Sequence, residues 1–204
     1  MKIRKTHWIP CCCLGLLMLT LLVPALLKAI VVPKEVFTGT LVGIGGTLGG
    51  RSIPFTVEIN GATSDEDALK YVEILKTKGQ DGLLKAVEKN KLGWFKLDSA
   101  NPQTRGLNVT KWTYELLVVL IGPGEKGRVI KALFERTPSF YELRQGGRSL
   151  DYKFTFMEMY VGDDGKGGGS LIGAAKIRWN KNEQVEIESF GTYPAKIMGL
   201  LKRE

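Results

Sequence analysis

Between residues 150 and 190 the chain carries three extended runs separated by short polar or glycine-rich turns. In the first run Tyr152, Phe154, Phe156, Glu158 and Tyr160 fall on one face, and Met157, Met159 and Val161 on the other. The glycine-rich stretch 162–169 reads as a hairpin turn, and Asn180 to Asn182 as a second one. With 170–179 and 183–190 as the next two strands, the region predicts a three-stranded antiparallel meander.

Alternation recurs upstream. In 53–60, Ile53, Phe55, Val57 and Ile59 face one way and Pro54, Thr56, Glu58 and Asn60 the other. This is a half-buried strand, and Pro54 near its start points to a sheet edge. Residues 36–44 read as a looser strand, with 45–50 the hairpin turn between the two. A short strand follows at 92–97. The longest is expected over 109–121, where Trp112, Tyr114, Leu116, Val118 and Leu120 alternate and the far half is apolar on both faces, as in a covered central strand. Residues 128–135 return as its hairpin partner, and 195–201 form the last strand.

The period changes to helical only over about 64–90. Ser64 precedes Asp65, Glu66 and Asp67, giving an N-cap hydroxyl and acids in the first turn. Ala68, Leu69, Val72, Ile74 and Leu75 keep helical spacing, and Gly79 stops the helix. Asp81 caps a second, shorter helix carrying Leu83, Leu84 and Val87. The expected fold is α+β: about nine strands, mainly antiparallel, curled into a barrel-like or half-barrel sheet, with a two-helix insertion between the second and third strands. No repeat or linker divides residues 30–204, which read as a single β-rich domain.

The first 29 residues stand apart. Lys2, Arg4 and Lys5 precede an apolar run over 11–23, and Pro24 with the small residues Val23 and Ala25 follows. That order is a signal peptide, cleaved after Ala25 or Ala29. The alternative is an anchor over 8–27, matching the roughly 20 residues that span a bilayer. The expected location is periplasmic or extracellular, or membrane-anchored if the segment is kept.

This segment also holds all three cysteines, Cys11, Cys12 and Cys13, and the single histidine, His7. A processed chain therefore lacks a disulfide, a thiol nucleophile, an imidazole base and any Cys or His metal ligand. Zinc hydrolases, Ser-His-Asp hydrolases and Cys-His enzymes are excluded together. No cofactor is expected. The formal charge of +8 shrinks likewise, because Lys2, Arg4, Lys5 and Lys28 contribute four positive charges with no acid beside them. The mild remaining excess is that of a soluble surface and not of a nucleic-acid footprint.

Three short motifs dissolve on inspection. Residues 45–52 approach a phosphate-binding loop, with Arg51 where a lysine belongs, but Ile53 and Pro54 open a strand where that loop needs a helix. Asp163, Asp164 and Gly165 resemble part of a calcium loop without its further acids, and read better as a hairpin. The sequon at Asn108 reads as chance.

The densest chemistry lies at 135–152. Arg136, Phe140, Tyr141, Glu142, Arg148, Asp151 and Tyr152 bring two arginine forks, carboxylates and aromatics into one loop and its flanks. Arginine pairs with carboxylates, phosphates or sulfates, so the group could form a ligand-binding mouth. The plainer reading is internal, with Arg148–Asp151 or Arg136–Glu142 pinning the loop to the sheet, and common loop ion pairs favour it.

With these residues assembled, the chain resembles a family of uncharacterised exported bacterial proteins. The resemblance rests on the segment Glu135 to Glu142, on Arg148 to Thr155, on the acid- and glycine-rich hairpin that follows, and on the helix pair ending at Lys85. It covers roughly residues 53 to 195. Lys153 replaces the usual proline, and Thr137 precedes Pro138 where the family has a tighter Arg-Pro. The family implies export and a common fold, and no activity.

The expected function is non-catalytic binding of a small apolar or anionic molecule, or of a cell-envelope component, at or in the curled sheet. A protein-interaction module working through an exposed strand edge is the alternative. A hydrolase using carboxylates alone, such as Glu115, Glu135 or Asp151, is the third reading. Contact with a membrane is expected only through an uncleaved N-terminal segment.

Overall fold

The computed structural model describes residues 33–44, 50–98, 111–138, 143–144, 148–191 and 193–204. Its elements run β1 (Glu35–Val42), β2 (Ser52–Ile59), α1 (Asp65–Val87), β3 (Gly93–Leu97), β4 (Thr113–Glu115), β5 (Val118–Pro123), β6 (Arg128–Glu135), β7 (Phe154–Val161), β8 (Lys166–Trp179), β9 (Val185–Ser189) and β10 (Ala195–Arg203). All ten strands belong to one antiparallel sheet, ordered β4-β3-β2-β1-β10-β8-β7-β6-β5, with β9 paired to the far half of β8. Val31–Glu204 forms one compact unit.

Alternation along each strand builds two cores, one per face. Phe37, Leu41, Ile53, Phe55, Val57, Ile59, Phe95, Ile130, Phe134, Met157 and Met159 fill the inner face. Phe95 stacks on Phe134 with ring centroids 5.3 Å apart, so strands distant in the ladder meet through their side chains. Offset aromatic stacking adds to their area burial. Phe154, Phe156, Ala175 and Ile177 point the other way, onto α1, and pack with Leu75, Leu83 and Val87. The face assignments expected for the meander therefore hold, and its β7-β8-β9 pairing is present.

Several expectations need correction. The sheet does not close into a barrel: its ladder ends at β4 on one side and β5 on the other, and no pairing joins them. The long strand expected over 109–121 is instead two strands, β4 and β5, at opposite ends of that ladder. Leu116 N–H donates to Gly93 O while Leu117 N–H donates to Leu133 O, so the chain changes ladders within one residue. Apolar residues on both faces suit such a crossing as well as they suit a central strand.

The two-helix insertion is one helical element. Ser64 accepts from the Asp67 amide as expected, and α1 continues to Val87 across a break at Gly79, whose φ of 65° and ψ of −167° are open to glycine. The break swings the second half so that Leu83 and Val87 reach the same core as Leu75.

Neither Pro54 nor the 162–169 turn behaves as expected. β2 lies between β1 and β3, not at an edge. Pro54 is tolerated because its side of the strand faces β3 just where that strand ends, and its carbonyl accepts from Asp98. The turn after β7 is only Gly162 to Gly165, and Gly167, Gly168 and Gly169 already lie in β8. A Cβ on Gly167 or Gly169 would collide with the Tyr160 or Glu158 carbonyl, so these glycines serve close strand approach.

Candidate functional site

The charged cluster expected at 135–152 lies at the end of the sheet where β6 stops and β7 begins. Phe140, Tyr141 and Glu142 fall outside the described residues. Of the others, Arg136 and Tyr152 are held by side-chain hydrogen bonds and the Asp151 backbone by one. Arg148, Ser149, Leu150 and Asp151 form a 3-10 turn. Arg136 Nη1 donates to Ser149 O at 2.9 Å, and its amide donates to Lys153 O at 2.9 Å. Gln80 Nε2, just past the α1 break, donates to the Asp151 carbonyl. Arg148 and the Asp151 side chain are exposed.

Tyr152 is tied more specifically. Its hydroxyl donates to Glu188 Oε1 at 2.6 Å, and its ring meets Phe190 edge-on at 5.0 Å. Arg178 bridges Glu186 at 2.9 Å and Glu188 at 3.4 Å. The bond to Glu188 raises the Tyr152 pKa above its ordinary value, and the same bond lowers that of Glu188. Arg136 and Tyr152 therefore pin the turn to the sheet, one through a carbonyl and one through a carboxylate. Arg148 and Asp151 face solvent beside them.

The opposite end of the sheet holds a second polar group that the sequence did not single out. Glu35, at the start of β1, is 4% exposed. Arg128 Nη2 donates to its Oε1 at 2.8 Å, and Lys202 Nζ lies 2.7 Å from the same oxygen. Burial pushes the Glu35 pKa up, but the hydrogen bonds and charges of Arg128 and Lys202 outweigh it and hold the carboxyl below its ordinary range. One buried carboxylate thus serves two cations.

Both cations continue outward into a half-open groove of about 340 Å³, lined also by Gly127, Val161, Gly162, Asp163 and Gly165. Two hairpin turns form its rim. Gly127, with φ 91°, sits where a side chain would strike the Val161 carbonyl, and Gly165, with φ 74°, completes the turn closed by Gly162 and Lys166. Asp164 Oδ1 accepts from the Lys166 amide, so this acid is spent on the turn expected in place of a calcium loop.

One signal for Glu35 was present in the sequence. It stands two residues before Phe37, so alternation assigns it to the inner face. Its partners lie 93 residues away on β6 and at the far end of β10, beyond any local pattern.

Among the described residues no three His, Cys, Asp or Glu side chains gather as metal ligands, and no helix is long and apolar enough to cross a membrane. Compared with protein-family models, with curated proteins and with solved structures, the chain finds no match in any of the three.

Proposed function

We propose that this chain is an exported, non-catalytic binding domain that takes a small anion in the groove at the Glu35 end of its sheet. The observation carrying this reading is that Arg128 and Lys202 converge on a single carboxylate and both line the groove. Glu35 neutralises one charge and fixes the positions of two. The remaining N–H groups of a guanidinium and an ammonium then supply donors for an incoming carboxylate or phosphate oxygen. The inner face supports the same choice, because phenylalanine and methionine side chains fill it and leave the sheet's end as the place for a ligand.

Export rests on the order of charges, apolar run and small residues in the first 29 positions. The resemblance of the region 53–195 to uncharacterised exported bacterial proteins belongs to the same reading. The mass of the processed chain tests cleavage after Ala25 or Ala29.

The groove is tested by titrating the 31–204 domain with inorganic phosphate and with acetate while following amide resonances by NMR. Saturable shifts at Gly127, Gly162 and Gly165, lost in Arg128→Gln and Lys202→Gln, are the expected result. Shifts that never saturate, or that persist in the double variant, would overturn it. A strand-edge interaction module is the second reading, and it draws on β9, which pairs only with β8 among the described residues.

A further inference from the structure

The helix covers only part of the outer face of the sheet. α1 packs over β5, β7 and β8, through Leu117, Val118, Phe154, Phe156, Ala175 and Ile177. The outer faces of β1, β2, β3 and β10 have no such cover among the described residues. Strand registers show which side chains stand there. Thr38 is opposite both Thr56 and Leu201, Thr40 is opposite Pro54 and Met198, and Val36 is opposite Glu58 and Arg203. Glu58 is opposite Trp94, and Thr56 is opposite Lys96.

Two properties set this face apart. Met198 is 54% exposed and Leu201 37% exposed, both on β10, where an uncovered strand would ordinarily carry polar residues. The charges are also unbalanced. Glu58 pairs with Lys34 at 3.0 Å and Glu115 with Lys91 at 3.8 Å, and Asp98, just past the end of β3, is the third carboxylate of this face. Lys96, Lys196 and Arg203 are added on top and outnumber Asp98; all three are exposed and none appears in the described ion pairs. Arg203 donates to Thr38 Oγ1 at 3.1 Å, which lays its guanidinium along the sheet.

We infer that this uncovered face docks on an anionic phospholipid surface. A cationic excess carried by Lys96, Lys196 and Arg203 over a broad, gently apolar face matches a surface of distributed negative charge, with Met198 and Leu201 entering the interfacial region. A second copy of the same face is disfavoured, since it would oppose like charges across the contact. The inference is independent of the groove, because Arg128 and Lys202 project from the inner side of the sheet with Glu35 while Lys96, Lys196 and Arg203 project from the outer.

The test uses the 31–204 domain, which contains the whole ladder and both cores, in flotation with vesicles of phosphatidylcholine alone or with about a third phosphatidylglycerol. Binding to the anionic vesicles and not to the neutral ones is expected, weakening with salt. Each of Lys96→Gln, Lys196→Gln and Arg203→Gln should weaken it about fivefold, and the triple variant about a hundredfold. Met198→Ser with Leu201→Ser should weaken it with the charges intact. Equal binding to both vesicles, no binding to either, or an unaffected triple variant would each overturn the inference. So would binding that follows Arg128→Gln and Lys202→Gln instead, or a dimer formed through this face in sedimentation.

Discussion

Leu116 and Leu117 are neighbours in the chain and belong to different cores. Leu116 is fully buried among the inner-face residues with Phe95 and Phe134, whereas Leu117, 4% exposed, packs against α1 with Phe154 and Val87. Their amides diverge in the same way, one to β3 and the other to β6. This two-residue step brings the two ends of the ladder near each other by covalent continuity instead of strand pairing. Asn90 and Thr63 secure it, since Asn90 Nδ2 donates to Leu117 O at 2.9 Å and Thr63 exchanges bonds with Val119.

Either leucine is therefore expected to be costly to truncate. Leu116→Ala and Leu117→Ala should each lose about 2–5 kcal/mol in urea denaturation, as cavities do in cores that relax little. Because they line separate cores but share one backbone step, the departure of the double variant from the sum measures how far the two cores are coupled through it. A loss under half a kilocalorie for either would remove that residue from the core.

Acid should weaken the Glu35 end of the sheet. The folded-state pKa of Glu35 is lowered, so its contribution is fully present above its unfolded value and is lost as pH falls through the folded value. Melting temperature should drop as pH descends below about 4.5, the ordinary glutamate range. In Glu35→Gln part of that drop should vanish, with a lower melting temperature at pH 7. Identical pH profiles for the two proteins would show that the carboxylate carries no linked stability.

The glycines of β8 should divide by position. Gly167→Ala and Gly169→Ala should cost about 2 kcal/mol or more, because the new methyl meets a partner-strand carbonyl. Gly173, in the same strand, has nothing within 4 Å of its would-be Cβ. Gly173→Ala should stay within about 1 kcal/mol of the parent in either direction. Thermal or chemical denaturation of the three side by side gives the answer, and a uniform response would refute the close approach.

The two arginines expected to form a ligand mouth should likewise separate. Arg136→Ala removes a charged donor from the Ser149 carbonyl and should cost about 1.5–3 kcal/mol. Arg148 is exposed, and Arg148→Ala should leave the melting temperature unchanged within error. The reverse order would reassign which arginine holds the turn.

Much of this fold is local in origin and therefore legible along the chain. Side chains alternate across a strand with period two, so Ile53, Phe55, Val57 and Ile59 declare their common face without reference to any neighbour. The Ser64 cap and the acids after it likewise mark the start of α1 through interactions within one turn. The same applies to the meander, whose turns are short enough to fix which strands pair.

What the tertiary structure decided is where alternation gives no answer. Leu116, Leu117, Val118 and Val119 are all apolar and all buried, and the pattern is the same for a covered central strand as for a chain stepping between two cores. The glycine run 167–169 reads as a turn until the approach of β7 is known. Glu35, Arg128 and Lys202 acquire their relation only when β1, β6 and β10 end at the same rim of the sheet. Residue type sets which face a side chain seeks. The order of strands in the ladder decides which distant residues share that face, and that order depends on long-range pairings that no segment encodes alone.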